Sequence, residues 1–189
     1  MTTAGKPDPD AAQLMRMALA ASTGNDSEAS IAYLKRAIAL DERMAEPHYL
    51  LGAEYAGMGL YDQAVSEMQA ALARKPELAA ARFQLGLLFL TLARVEEAAA
   101  TWGLLDMLPH EHPFYLFKSG LLHLIQEQFD QAAILLKEGV AANTENPALN
   151  RDMQLVLEEI SRKQAGASGA AAANAADAQH FLVSSYRKH

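Results

Sequence analysis

The sequence predicts an all-α protein built from repeated helical hairpins, and three observations carry the prediction. Residues of matched size recur every 34 positions: Gly52, Gly86 and Gly120; Ala64, Ala98 and Ala132; Tyr61, Val95 and Phe129, each followed by an acid (Asp62, Glu96, Asp130). Within the interval, apolar and small residues fall at helical spacing, as Tyr49, Leu51, Gly52 and Tyr55 do. Breakers then mark the joints: Gly57-Met58-Gly59 inside a repeat and Pro76 at its end. Hydrophobic residues make up 51% of the 189, so a packed body is expected rather than disorder.

The repeats run over about 11–44, 45–78, 79–112 and 113–147, together 11–147. The first is the weakest: stepping back 34 from Gly52, Tyr61 and Ala64 reaches Ala18, Ser27 and Ser30. It reads as a terminal, degenerate member. The second shows the plan most clearly. A helix about Glu46–Gly57 is followed by a second, capped by Asp62 and running to about Arg74. Antiparallel helices approach closely only where a small residue meets a bulky one. Gly52 and Ala64 are the holes; Tyr55 and Met68 are the knobs.

Beyond the repeats, residues 148–164 form a ninth helix with a Met153, Val156, Leu157, Ile160 stripe. Residues 165–178 are rich in alanine and glycine, and both a linker and a helical extension fit them. Residues 179–189 join an apolar cluster to a basic end. At the other end, residues 1–10 are polar, carry Pro7 and Pro9, and read as a flexible N-terminus with no signal-peptide core.

Composition excludes several function classes. There is no cysteine, which removes disulfides, thiolate zinc, iron–sulfur clusters and a cysteine nucleophile. The formal net charge of −7 opposes nucleic-acid binding. Arg187 and Lys188 make residues 179–189 cationic, leaving 14 basic against 23 acidic groups in residues 1–178. No apolar run is long enough to span a membrane, and a cytoplasmic protein is the expectation. No phosphate loop, dinucleotide fingerprint or nucleophile elbow is present. His110-Glu111-His112 lacks the spacing of a zinc helix and reads as a solvated turn. No enzyme, cofactor or metal is expected.

The repeats resemble the tetratricopeptide repeat, whose pattern is W-x2-L-G-x2-Y, A-x3-F, P with a period of 34. The second reads His48-x2-Leu51-Gly52-x2-Tyr55, Ala64-x3-Met68, Pro76. The third reads Arg82-x2-Leu85-Gly86-x2-Phe89, Ala98-x3-Trp102, with Pro109 one residue early. The fourth reads Leu116-x2-Ser119-Gly120-x2-His123, Ala132-x3-Leu136, with a late Pro147. The resemblance implies a right-handed solenoid closed by a solvating helix over 148–164. It also implies a concave groove lined by the first helix of each repeat.

By that pattern the lining positions are Met15, Leu19 and Ser22; Tyr49, Ala53 and Ala56; Phe83, Leu87 and Leu90; Phe117, Leu121 and Leu124, with Phe114 at the rim. None is the lysine or asparagine of a carboxylate clamp, so the ligand implied is an apolar peptide or helix. A second reading makes the same side chains ordinary core. The tail anchors Phe181, Leu182, Val183 and Tyr186 fit such a groove, in the same chain or a neighbour; a partner-binding tail and a tail without a role are the other readings. The implied function is a non-enzymatic scaffold or adaptor. The alternatives are a secretion-type chaperone for a hydrophobic client and a module that self-assembles through its tail.

Overall fold

A computed structural model of the chain describes residues 8–167, most of them helical. The helices are α1 (Ala11–Thr23), α2 (Ser27–Leu40), α3 (Glu46–Gly57), α4 (Tyr61–Arg74), α5 (Ala79–Thr91), α6 (Val95–Trp102), α7 (Pro113–Ile125), α8 (Phe129–Ala142) and α9 (Pro147–Ala167). A 3-10 helix, Gly103–Met107, follows α6 directly. The described residues contain no strand. Contacts divide the chain into two compact units, Met1–Ala81 and Arg82–His189.

The four hairpin turns share one backbone solution. Asn25, Gly59, Ala93 and Glu127, each 34 residues from the next, have positive φ of 59°, 74°, 60° and 59°. In the second repeat Gly59 N–H donates to Ala56 O (3.0 Å) and Leu60 N–H to Tyr55 O (2.8 Å). The other three turns make the same two bonds, for example Glu127 to Leu124 O (3.0 Å) and Gln128 to His123 O (2.9 Å). This is the Schellman closure, which satisfies the last carbonyls of the first helix and reverses the chain. Only one of the four positions is the glycine that this conformation favours.

In the first unit α1 packs on α2, α2 on α3 and α3 on α4. Asp10 starts α1 with a capping box: its carboxylate accepts from Gln13 N–H (2.7 Å), and Gln13 Oε1 accepts from Asp10 N–H (3.1 Å). Asp26 caps α2 through Ala29 N–H at 3.0 Å. The core is Leu14, Ala18, Leu34, Ala37, Leu51, Ala64, Met68 and Ala71. A Cβ on Gly52 would lie 2.8 Å from Met68 Cγ and 3.2 Å from Ala64 O, so the expected hole and knob meet there. Asp62 differs from the expectation. The residue capping α4 is Leu60, which offers no side-chain bond, and Asp62 sits in the first turn. The Schellman closure sets where α4 begins, and a carboxylate two residues on favours only the helix dipole.

In the second unit the core is aromatic. Trp102 is wholly buried, donates Nε1–H to Phe83 O at 3.0 Å and stacks on the Phe83 ring at 5.8 Å. A Cβ on Gly86 would come within 2.0 Å of Trp102 Nε1; the indole fits only because residue 86 lacks one. Gly120 leaves the same room for Leu136. α7 packs on α8, and α8 on α9. α9 buries Leu149, Met153, Val156 and Ile160, while Leu157, expected on that stripe, is half-buried. The expected helix-breaking proline of the third repeat is preceded by an earlier break: α6 stops at Trp102, where Gly103 follows and the chain tightens to 3-10 geometry.

Candidate functional site: the open stripe of the first unit

Leu14 and Ala18 are the buried residues of α1, which packs on α2; in α3 His48, Gly52 and Tyr55 are buried, with His48 and Gly52 against Glu67 and Met68 of α4. Each residue of a helix is rotated 100° from the one before. Met15, Leu19 and Ser22 therefore form a stripe one step round from the packed seam of α1. Tyr49, Ala53 and Ala56 form the matching stripe on α3. Leu19 is 48% exposed, Met15 and Tyr49 are half-buried, Ser22 and Ala53 are exposed, and Ala56 is buried. No stripe residue carries a charge.

Burial raises the pKa of the Tyr49 phenol. At neutral pH Tyr49 is thus an uncharged ring with a hydroxyl that can donate. Glu46, at the start of α3, pairs with Lys75 across 2.9 Å. The hydrogen bond from Lys75 holds the Glu46 carboxyl below its ordinary value. Behind the stripe, His48 Nδ1 lies 2.6 Å from Glu67 Oε2, and its Nε2 is buried without a partner.

In the second unit the expected lining residues lie elsewhere. Phe83, Leu87, Leu90, Phe117, Leu121 and Leu124 are all buried. Phe83 stacks on Phe114 at 5.2 Å and meets Phe117 at 6.0 Å, and a Cβ on Gly139 would lie 2.5 Å from Phe117 Cδ1. Phe117 is a knob seated on α8, and these six side chains act as core. Phe114 is half-buried between Phe83 and His112. For Phe117 the physical reason is the small residue at 139, which lets this α7 aromatic turn in against its own hairpin. The tail anchors Phe181, Leu182, Val183 and Tyr186, and most of the 165–178 segment, lie outside the described residues.

The other polar groups have structural work. His112 Nδ1 accepts from Phe114 N–H (3.2 Å) and caps α7, and His110 stacks on Tyr115 at 4.6 Å. His123 Nδ1 pairs with Gln128 Oε1. Among the described residues no cluster of three or more potential ligands could hold a metal ion, and no helix is long and apolar enough to cross a membrane. Sequence reasoning passed over Leu104 and Met107, which are 53% and 83% exposed. The signal was available: residues in register are Arg36, Ala70 and Glu138 for the first, Ala39, Ala73 and Ala141 for the second.

The family pattern described as "Tetratricopeptide repeat" matches residues 14–43 and 45–78. It therefore includes the first repeat, which the sequence reading takes as degenerate. Leu14, Ala18, Leu34 and Ala37 keep the packing positions there even though the aromatic landmarks are gone. No curated protein matches the chain in sequence. Several solved structures share its fold. MamA residues 41–end from Desulfovibrio magneticus RS-1 is 16% identical, with a TM-score of 0.61 over 95% of this chain and 97% of that one. Pseudomonas aeruginosa pilF is 18% identical, with 0.62 over 93% and 76%. The Cut9–Hcn1 hetero-tetramer of the APC/C contains a chain 18% identical, with 0.71 over 93% of this chain and 34% of that one. Residues 14–43 and 45–78 thus match the tetratricopeptide repeat in sequence, and the four hairpins, closed by one turn geometry at a 34-residue period, share the fold of these solved structures.

Proposed function

We propose that the chain is a non-enzymatic scaffold that holds a partner protein, and that the open stripe of the first unit receives an apolar peptide or helix. The observation that carries this reading is the row of uncharged side chains on α1 and α3. On α1 Leu19 is nearly half exposed and Met15 half-buried; on α3 Tyr49 is half-buried and Ala53 exposed, a small residue that leaves space for a ligand side chain. Two or three anchors would bury roughly 200–300 Å² here, worth about 5–7 kcal/mol gross at ~25 cal/mol per Å². Association entropy removes several kcal/mol of that, so a transient, micromolar or weaker interaction is expected. The Tyr49 hydroxyl supplies a donor for a peptide carbonyl, which fixes register where apolar contact alone would slide. Holding a hydrophobic client, as a chaperone does, is a narrower form of the same reading.

The test is a peptide-display selection on the full chain. Peptides with apolar anchors should be enriched, and Leu19→Asp or Tyr49→Asp should each weaken their binding at least about tenfold, the equivalent of ~1.4 kcal/mol. Met58→Asp, at an exposed position off the stripe, should leave binding unchanged. Equal binding to all three variants, or selection of charged peptides only, would sink the reading.

A further inference from the structure

The third repeat breaks the plan of the other three at one corner. Its second helix has eight residues where α2, α4 and α8 have fourteen, and the 3-10 helix Gly103–Met107 takes over. At that corner Leu104 stands in register with Arg36, Ala70 and Glu138, and Met107 with three alanines. An arginine, a glutamate and small residues thus give way to two large apolar side chains, 53% and 83% exposed. Met107 is the most exposed large apolar side chain among the described residues.

The corner is held in place rather than frayed. Leu105, between the two, is 1% exposed and ties the 3-10 helix to the core. Lys118 of α7 is buried along its stem, lies over the Tyr115 ring at 5.0 Å, and pairs with Asp106. A surface that presents two apolar tips from a fixed backbone is built to be covered. The stretch around it is acidic on balance: Asp106 is largely exposed although paired with Lys118, Glu111 is exposed, and residues 95–117 hold four acids and no lysine or arginine. The matching occupant is a short segment with apolar anchors followed by cations.

The chain supplies one. Phe181-Leu182-Val183 is followed by Arg187-Lys188, and 22 residues lie beyond Ala167, the end of α9 in this same unit. Residues 168–180 could span up to about 43 Å at ~3.3 Å each. A unit of this length has a radius of gyration of only about 12 Å. We propose that Leu104 and Met107, in the acidic stretch that carries Asp106 and Glu111, form the docking site for the chain's own C-terminal segment, Phe181–Lys188. This rests on no feature of the stripe on α1 and α3, and it leaves that stripe free for a partner.

Methionine oxidation in the full chain tests it. Left open, Met107 should react with dilute peroxide faster than Met58, which is 53% exposed. With the segment docked, Met107 should react about fivefold slower than Met58. The full-length variant Phe181→Ser/Leu182→Ser/Val183→Ser should restore the fast rate at Met107 and leave Met58 unchanged. Arg187→Glu/Lys188→Glu should restore it in part, with the remaining protection insensitive to salt. A photo-crosslinker placed at position 107 should capture residues 179–189, within one copy or between two, as the mass of the product shows; either supports the proposal. Met107 that oxidises faster than Met58 in the unaltered chain overturns it. So does slow oxidation that the tail variants leave untouched, or a crosslink to any other segment.

Discussion

Ala93 and Glu127 occupy left-handed turn positions with φ near 60°, where a side chain pays about 1 kcal/mol that glycine does not. Ala93→Gly is therefore expected to stabilise the chain by roughly 0.5–1 kcal/mol despite glycine's greater freedom when unfolded. The gain at Asn25→Gly should be smaller, since asparagine tolerates this region. Urea titration of the single variants checks the order. Gly86 demands the opposite: a Cβ there would meet the Trp102 indole at 2.0 Å. Gly86→Ala should cost about 2–3 kcal/mol, and Trp102→Leu in the same chain should recover part of it. Gly57, in open space at the end of α3, should accept alanine with a small gain. The sequence distinguished these glycines only in part. The 34-residue interval marks Gly52, Gly86 and Gly120 as close-approach sites, but the left-handed turns hide because three of the four lack glycine.

At the scale of elements, the helices were legible because each hairpin satisfies two independent patterns at once: apolar spacing along a helix and size matching across a pair. Where one pattern lapsed, so did the reading. Asp62 looked like a cap by residue type, yet the Schellman closure fixes the start of α4. The early end of α6 was missed because Trp102 and Leu105 keep the buried spacing straight through the change to 3-10 geometry. Gly103 marks the change: it has helical φ and ψ of −52° and −37°, and its Cβ position is open. Gly103→Ala should extend α6 and stabilise the chain by about 0.5–1 kcal/mol, visible as a raised midpoint in urea. Asp26→Ala should cost α2 about 1 kcal/mol through loss of its cap. The Glu46–Lys75 pair adds a pH dependence between α3 and α4. The folded Glu46 carboxyl lies below its ordinary 4.5, so its contribution is present above that value and lost as pH falls further. Lys75→Met should flatten the acid side of the melting-temperature profile.

For the whole molecule, the positions of the candidate site were legible in the sequence, but their exposure was not, and it differs from one first helix to the next. Reading every first helix by one template predicts a continuous apolar lining, and Met15, Leu19, Tyr49 and Ala53 keep partial or full exposure. Phe83, Leu87, Leu90, Phe117, Leu121 and Leu124 are buried instead, and Gly139 is what admits the Phe117 ring against α8. A repeat template gives positions, whereas burial depends on the partner across the hairpin, which single-site reasoning does not weigh. The same division has a thermodynamic consequence. In repeat proteins each hairpin contacts its neighbours alone, so stability is a sum of local terms and destabilisation need not spread evenly. Trp102 is the sole tryptophan and reports on the second unit, while circular dichroism reports on every helix. Leu34→Ala removes a side chain 1% exposed in the first unit and should cost about 2–5 kcal/mol there. The expected outcome is a dichroism transition that starts at lower urea than in the parent chain, while the Trp102 fluorescence transition moves less. Coincident shifts of both signals would show that the chain unfolds as one cooperative block, with the two compact units inseparable in energy.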